Sequence, residues 1–166
     1  SDPLQDSKEK FGISGKSFTL YGQDIFKNYI FNMLPAGGKS VALTGDATYS
    51  LKGTWKFVPL STAKKTEGKI LNNLLGQTIT LFFNMKNDAT LGGLILKDNY
   101  LVTADATNCG LNLASPYTSW YTFIPESVLN YFKSAGLPGT VQDLYNLANN
   151  GLGGMKKDAK EHENED

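Results

Sequence analysis

The sequence predicts a mainly α fold with short β segments, in which about four helices surround one buried central helix and long irregular loops join them. Three observations support this prediction. The stretch LLGQTITLFFNMKND, residues 74–88, is the most apolar of the chain; three other segments have helical spacing or helix end signals; and the stretches between them are rich in glycine and turn residues. An α+β fold is the alternative, because those stretches also contain short segments typical of strands.

The first helix is predicted in GQDIFKNYIFNMLP, where Asp24 falls in the first turn and Pro35 ends the helix. The apolar residues that recur on one side are Ile25, Phe26, Tyr29, Ile30, Met33 and Leu34. The next stretch, AGGKSVALTGDATYSLKGTWKFVPL, is punctuated by glycine, which predicts a loop with or without a hairpin.

The central helix is predicted in the apolar stretch and the residues before it. Ile70, Leu71 and Leu74 begin one helical face, and from Ile79 to Met85 the sequence is apolar on nearly all sides, as is typical of a buried helix. A strand over residues 78–83 is the competing interpretation, because Thr and Ile favour sheets. The helix is favoured because the run is longer than most strands.

Two more helices are predicted near the C-terminus. In IPESVLNYFKSAG, Pro125 fits a first helical position and Gly136 suits the left-handed turn after the helix. TVQDLYNLANNG begins with Thr140 as N-cap and Asp143 at N3, which resembles a capping box. The segments GLILKDNYLVTADAT and SPYTSWYTFIP, which precede these helices, are predicted to be extended.

The length of 166 residues supports one hydrophobic core, and we predict a single globular domain over residues 11–154. Residues 1–10 and 155–166 are polar and charged and have no apolar period. This predicts a flexible N-terminal segment and a charged flexible tail.

The composition excludes several kinds of partner. All 16 basic residues are lysine and the formal net charge is zero, so no nucleic-acid partner is predicted. No run approaches the ~20 apolar residues of a membrane-spanning helix. Cys109 is the only cysteine, which excludes an internal disulfide and leaves a buried thiol or half of a bridge to a partner elsewhere.

The titratable residues limit the chemistry of the folded region. The only histidine, His162, lies in the charged tail, which removes Ser-His-Asp and Cys-His arrangements. A carboxylate-dependent hydrolase needs two facing carboxylates. No pattern selects a pair, so no catalytic residue is assigned and the protein is predicted not to be an enzyme; the acidic candidates are Asp46, Asp88, Asp98, Asp105 and Glu126.

Structural calcium is the one cofactor that the sequence leaves open. The turn-like segments KND, KDN and ADATN place Asp88, Asp98 and Asp105 beside other oxygen ligands. None of these segments has the twelve-residue spacing of an EF-hand. Solvated turn residues are the preferred interpretation, and a structural calcium site is the alternative.

The aromatic segment SPYTSWYTF is the candidate binding surface. As a strand it would place Tyr121 and Phe123 on one face and Trp120 on the other face. One of these two faces should enter the core. A Trp flanked by threonines is positioned to stack on a sugar ring, and burial of the tryptophans in the core is the competing interpretation. The candidate ligand-binding residues are Trp120, Tyr117, Tyr121, Trp55 and Tyr49.

Five motifs occur in order over residues 34–154: LPAGGKSVALTGDATY, KILNNLLGQTITLFFNMKND with LGGLIL, LVTADATNCG, FIPESVLNYF and TVQDLYNLANNGLGG. Together they resemble an uncharacterised module found in large secreted or surface-attached bacterial proteins. The resemblance implies export and a place inside a longer multi-domain chain, often next to adhesion or repeat domains. It supplies no catalytic residue.

These observations lead to three hypotheses of different classes. The first is a non-catalytic structural or spacer module of a secreted or cell-surface bacterial protein, whose partners are the neighbouring domains of a longer chain. The second is a module that binds carbohydrate or another partner through exposed aromatic residues. The third is a carboxylate-dependent hydrolase.

Overall fold

The computed structural model describes residues 8–22, 30, 33–48, 69–96, 98–104 and 119–154. The chain divides into two compact units. The first unit comprises Ser1–Asn87 and Tyr145–Asp166, and the second comprises Asp88–Leu144. The single domain over residues 11–154 stays a prediction.

The first unit contains a three-stranded sheet with the strand order β1–β2–β3. Strands β1 (Lys8–Ile13) and β2 (Lys16–Tyr21) pair antiparallel, and the short strand β3 (Ala47–Thr48) pairs parallel with β2. Residues 8–10, which the sequence assigned to a flexible segment, lie in β1. Phe11 stands directly opposite Phe18, and their ring centroids are 6.5 Å apart.

Helix α1 (Asn73–Asn87) confirms the helix predicted for the apolar stretch. Asn72 precedes it and is fully buried. The Asn72 Oδ1 accepts a hydrogen bond from the Leu75 N–H at 3.3 Å, and its Nδ2 donates to the Val41 carbonyl at 2.9 Å. One side chain therefore caps the helix and also joins it to the loop at Val41, which lies 31 residues earlier in the sequence.

The N-terminal part of α1 contains a glycine for a steric reason. A Cβ placed on Gly76 would lie 2.2 Å from the Cβ of Ala36. The chain at Ala36 thus approaches the helix so closely that only glycine fits without a shift of the backbone.

The core of the first unit lies between the sheet and one face of α1. The Phe82 ring of α1 meets the Phe11 ring edge-on, with centroids 5.4 Å apart and planes at 90°. This is a favourable arrangement of two aromatic quadrupoles. The buried core residues are Phe11, Phe18, Leu20, Ile30, Met33, Leu43, Ile70, Leu75, Ile79, Phe82 and Leu152.

The predicted mainly α fold, with about four helices around a central buried helix, is wrong. The described residues form an α+β structure with three complete helices and two small sheets. Helix α1 is buried on one face only, because Gln77, Thr80 and Asn84 are exposed. These three residues have i, i+3, i+7 spacing, which marks the outer side of an amphipathic helix. Strand β1 packs against this buried face, where the Phe11 ring meets the Phe82 ring.

The helix predicted over residues 24–34 lies mostly outside the described residues. Ile30 and Met33, which the structure does describe, are buried in the core of the first unit, as their spacing predicted.

The second unit contains a 3-10 helix (Leu91–Gly93), strands β4 (Tyr100–Ala104) and β5 (Ser119–Phe123), helix α2 (Glu126–Ser134) and the start of helix α3 (Val141–Leu152). Its most buried apolar side chains are Leu96, Phe132 and Val141. None of the helices in the described ranges combines the length and the hydropathy of a membrane span.

The C-terminus of α2 and the N-terminus of α3 follow their predicted signals, whereas Pro125 is the N-cap of α2 and not its first helical residue, because its ψ of 133° is extended. Gly136 has φ +66°, and the Leu137 N–H donates to the Phe132 carbonyl at 2.9 Å, which closes a Schellman turn after α2. The Thr140 N–H donates to Asp143 Oδ2 at 2.9 Å, and the Asp143 N–H donates to Thr140 Oγ1 at 3.1 Å. The predicted capping box at α3 is therefore confirmed.

Candidate functional site

Strands β4 and β5 form a two-stranded antiparallel sheet, here called the ribbon. Tyr100 lies opposite Phe123, and Val102 lies opposite Tyr121. Residues directly opposite each other on antiparallel strands share a face of the sheet. These four residues therefore form one face, here called the aromatic face.

The backbone pairing brings the side chains of the aromatic face close together. The Ile124 N–H donates to the Asn99 carbonyl at 2.7 Å, just beyond the Tyr100/Phe123 pair. Hydrogen-bonded and non-hydrogen-bonded pairs alternate along antiparallel strands, so Tyr100/Phe123 is a non-hydrogen-bonded pair. Side chains approach each other most closely at such pairs.

The aromatic face is open to solvent. Tyr121 is 64% exposed and Phe123 is 73% exposed, and Tyr100 and Val102 are also exposed. The rings of Tyr100 and Tyr121, which are diagonal neighbours, contact each other with centroids 5.9 Å apart and planes at 52°. The ribbon thus presents ring surfaces and two phenolic hydroxyl groups to the surroundings.

The opposite face of the ribbon is exposed as well. It carries Trp120, which is 48% exposed, together with Leu101 and Thr122. The prediction that one face of this strand enters the core is therefore wrong, since no side chain from Trp120 to Phe123 is buried. Alternation separates the two faces of a strand, but it does not reveal whether another layer covers either face.

The ribbon is uncharged. None of the five residues of β4 or the five residues of β5 is Asp, Glu, Lys, Arg or His. Asp98, two residues before β4, is exposed. The ribbon can therefore contact a ligand through ring stacking, apolar packing and hydroxyl hydrogen bonds, but its own residues offer no cation to an anionic group.

The predicted ligand-binding residues are only partly brought together. Trp120 and Tyr121 both lie on β5, on opposite faces. Tyr117, Trp55 and Tyr49 lie outside the described residues. The sequence reasoning missed Tyr100, which joins Tyr121 only through the pairing of two strands. The alternation of Tyr100 with Val102 in a predicted extended segment was the available signal.

Among the predicted metal ligands, Asp88 serves as a turn residue. Its Oδ1 accepts hydrogen bonds from the Thr90 hydroxyl at 2.7 Å and from the Thr90 N–H at 2.8 Å. These bonds, the hydroxyl first, hold the pKa of the Asp88 carboxyl below its ordinary value. Asp98 is exposed, and Asp105 lies outside the described residues.

No group of three or more His, Cys, Asp or Glu side chains that could hold a metal ion occurs in the part of the chain that the structure describes. Structural calcium stays a prediction. Two further carboxylates have structural partners: the buried Ser17 hydroxyl donates to Asp46 Oδ1 at 2.6 Å, and Asp143 belongs to the capping box.

The first unit has a cavity of about 490 Å³ beside α1, with apolar walls that include Leu34 and Phe83. Two of its four polar lining residues, Thr80 and Lys86, have partners within the protein. The Thr80 hydroxyl donates to the Gly76 carbonyl at 2.9 Å, and the Lys86 Nζ lies 5.4 Å from the centroid of the Phe82 ring. These contacts make the cavity a weaker candidate than the ribbon.

Comparisons of the chain with protein-family models, with curated proteins and with solved structures found no match in any of the three. The ribbon is the candidate site on its own geometry. It combines aromatic side chains in register, exposure of both faces and an absence of charge among its strand residues.

Proposed function

We propose that this chain is a non-catalytic binding module of a secreted or cell-surface bacterial protein, and that the ribbon is its contact surface. The observation that carries the proposal is the exposure of large apolar side chains on both faces of the ribbon. Six of the ten large hydrophobic side chains that are exposed in the described residues belong to β4 and β5. Contiguous apolar patches of this kind mark interaction sites on soluble proteins.

The composition of the ribbon supports a binding role. Tyr and Trp supply large, rigid contact areas that lose little conformational entropy when they are fixed, and each has a polar group for a hydrogen bond. Two-stranded sheets are marginally stable when nothing packs on them. A ligand on either face would bury apolar surface, which is worth about 25 cal/mol per Å².

The proposed location outside the cell and the proposed absence of catalysis rest on other observations. The five ordered motifs support export and a place inside a longer chain with neighbouring domains as partners. The position of His162 in the charged tail and the structural bonds of Asp46, Asp88 and Asp143 support a role without catalysis.

A structural or spacer role is the second candidate function. Two asparagines of the first unit, Asn72 and Asn149, favour it because they join distant segments. The Asn149 Oδ1 accepts a hydrogen bond from the Gly12 N–H at 2.7 Å, and Asn72 bonds to the loop at Val41. Such side-chain to backbone bonds stabilise a defined body without any requirement for a ligand.

Retention on immobilised probes tests the proposal. The probes are neutral polysaccharides, an acidic polysaccharide and the chain itself. We expect the wild type to be retained on at least one probe and the double variant Tyr121→Ala/Phe123→Ala to lose that retention. The variant Thr122→Ala, on the opposite face, is the control and should be retained like the wild type.

Three results would contradict the proposed function. If the wild type is retained on no probe, or if the double variant is retained equally well, the ribbon is not a contact surface and the spacer role becomes the better account. Release of reducing ends from a bound polysaccharide would show that the protein is a hydrolase.

A further inference from the structure

The absence of charge on the ribbon restricts its ligand. Acidic polymers and phosphorylated ligands are usually held by Arg or Lys, often through paired hydrogen bonds. The strands of the ribbon have neither residue, and the chain contains no arginine. A neutral ligand is therefore favoured.

A protein partner is the alternative occupant, because the cores of protein interfaces are also poor in charged residues and rich in aromatic ones. The residues that dominate such interfaces include Arg as well as Tyr and Trp, and the strands of the ribbon contain no Arg. The aromatic face has the aromatic residues but lacks the charges. A polymer of uncharged sugar rings makes no demand for ionic partners.

The aromatic face has the chemistry that a sugar ring needs. The negative ring faces of Tyr121 and Phe123 attract the weakly positive C–H groups on the apolar side of a sugar. The hydroxyl of Tyr121 can donate to and accept from sugar hydroxyl groups. The Tyr100 ring, in contact with Tyr121 at 5.9 Å, supports it from the neighbouring strand.

The spacing along β5 suits a repeating ligand. Tyr121 and Phe123 are two residues apart on one face, which corresponds to about 7 Å along the strand. Two rings at this spacing provide successive contacts for a chain of linked sugar units.

We infer that the aromatic face of the ribbon binds a neutral polysaccharide, whose sugar rings stack on Tyr121 and Phe123 with Tyr100 as the supporting ring. This inference rests on the proposed function, because it names the ligand class of the same surface. It also assigns the binding to the face opposite Trp120.

Pull-down on insoluble cellulose, chitin and starch, with alginate beads as the acidic probe, tests this inference. We expect binding to at least one neutral probe that changes little between low and high salt, and no binding to alginate. Tyr121→Ala should weaken binding about tenfold or more, as expected for an aromatic residue at the centre of a contact. The matched control Trp120→Ala, on the other face of the same strand, should bind within about twofold of the wild type.

A measurement on the wild type avoids reliance on variants that could unfold the ribbon. Soluble oligosaccharides of the bound polymer should shift the aromatic-ring NMR signals of Tyr121 and Phe123 and leave those of the buried Phe11 and Phe18 in place. Tyr121→Phe, which keeps the ring and removes only the hydroxyl, should bind more strongly than Tyr121→Ala.

The outcomes separate this inference from the proposed function. Retention on alginate or on the chain itself, lost in Tyr121→Ala/Phe123→Ala, would overturn the neutral-polysaccharide ligand and keep the ribbon as the contact surface. Loss of polysaccharide binding in Trp120→Ala but not in Tyr121→Ala would overturn the assignment to the aromatic face. Binding to none of the probes would overturn both proposals.

Discussion

Two antiparallel strand pairs of this chain place aromatic residues directly opposite each other and differ completely in exposure. In the first unit, β1 and β2 pair Phe11 with Phe18, and both rings are 0% exposed. In the second unit, β4 and β5 pair Tyr100 with Phe123, and both rings are exposed. The strands themselves have similar compositions, since β2 reads KSFTLY and β5 reads SWYTF.

The difference arises from the layer that covers each pair. Helix α1 places Phe82 against Phe11, so one face of the first pair becomes core. The side chains of β5 from Trp120 onward are exposed on both faces. An aromatic strand is therefore a core element or a surface element according to its neighbours, and its own sequence does not decide which.

The largest expected effect is that of Phe82→Ala. Removal of this buried ring leaves a cavity against Phe11 and should lower the free energy of unfolding by about 3–5 kcal/mol. The matched control is Phe123→Ala on the ribbon, which should change stability by no more than about 0.5 kcal/mol because its ring is exposed. Denaturant unfolding of both variants measures the two changes in the free energy of unfolding. Equal losses would mean that the ribbon is covered in solution and would contradict the difference in exposure between the two strand pairs.

Asn72→Ala should have the next largest effect, because Asn72 holds the covering helix in place. The substitution removes the cap of α1 and leaves backbone groups at Val41 and Leu75 without this partner. We expect a loss of about 1–3 kcal/mol in the free energy of unfolding. Asn84→Ala, on the exposed side of the same helix, is the control and should be nearly neutral. A neutral Asn72→Ala variant would show that the cap does not fix α1.

Gly136→Ala tests whether the stability of the second unit depends on the left-handed turn that ends helix α2. Gly136 has φ +66°, where a Cβ costs about 1–2 kcal/mol. Thermal unfolding should show this loss. Gly93→Ala is the control, since a Cβ there meets no atom within 4 Å and its φ is not in the left-handed region. If the two variants lose the same stability, the Schellman turn is not what ends α2.

Thr90→Ala should have the smallest effect, at the turn that begins the second unit. The substitution removes the hydroxyl bond to Asp88, so the pKa of the Asp88 carboxyl should rise toward its ordinary value of 3.8. A lowered pKa stabilises the folded chain above pH 3.8, and this contribution is lost as the pH falls through the lowered value. The variant should therefore lose less stability on acidification than the wild type. NMR titration of Asp88 measures the change, and an unchanged pKa would contradict the role of the hydroxyl.

The elements that the sequence predicted well are those with local signals. Gly136 after α2, and Thr140 with Asp143 before α3, act within one helical turn, so their roles can be read from spacing alone. The helical state of residues 78–83 was also predicted correctly, because the length of the apolar run favoured a helix over the competing strand.

The elements that the sequence did not predict depend on contacts between distant residues. Strand β1 was assigned in part to a flexible segment because Lys8, Glu9 and Lys10 are charged, although the alternation around Ser14 and Gly15 is typical of a hairpin. The exposure of both faces of β5 was missed because the alternation of a strand carries no information on the layer above it. Likewise, Tyr100 joins the aromatic face only through the register of β4 with β5.

Hydroxyl-radical footprinting with mass spectrometry tests the central comparison most directly, because it measures the exposure of all the relevant rings in one sample of the wild-type chain. We expect Tyr121 and Phe123 to be oxidised much faster than Phe11 and Phe18, relative to the unfolded chain. Protection of Tyr121 and Phe123 equal to that of Phe11 and Phe18 would show that the ribbon is a core element and would contradict its assignment as a binding surface.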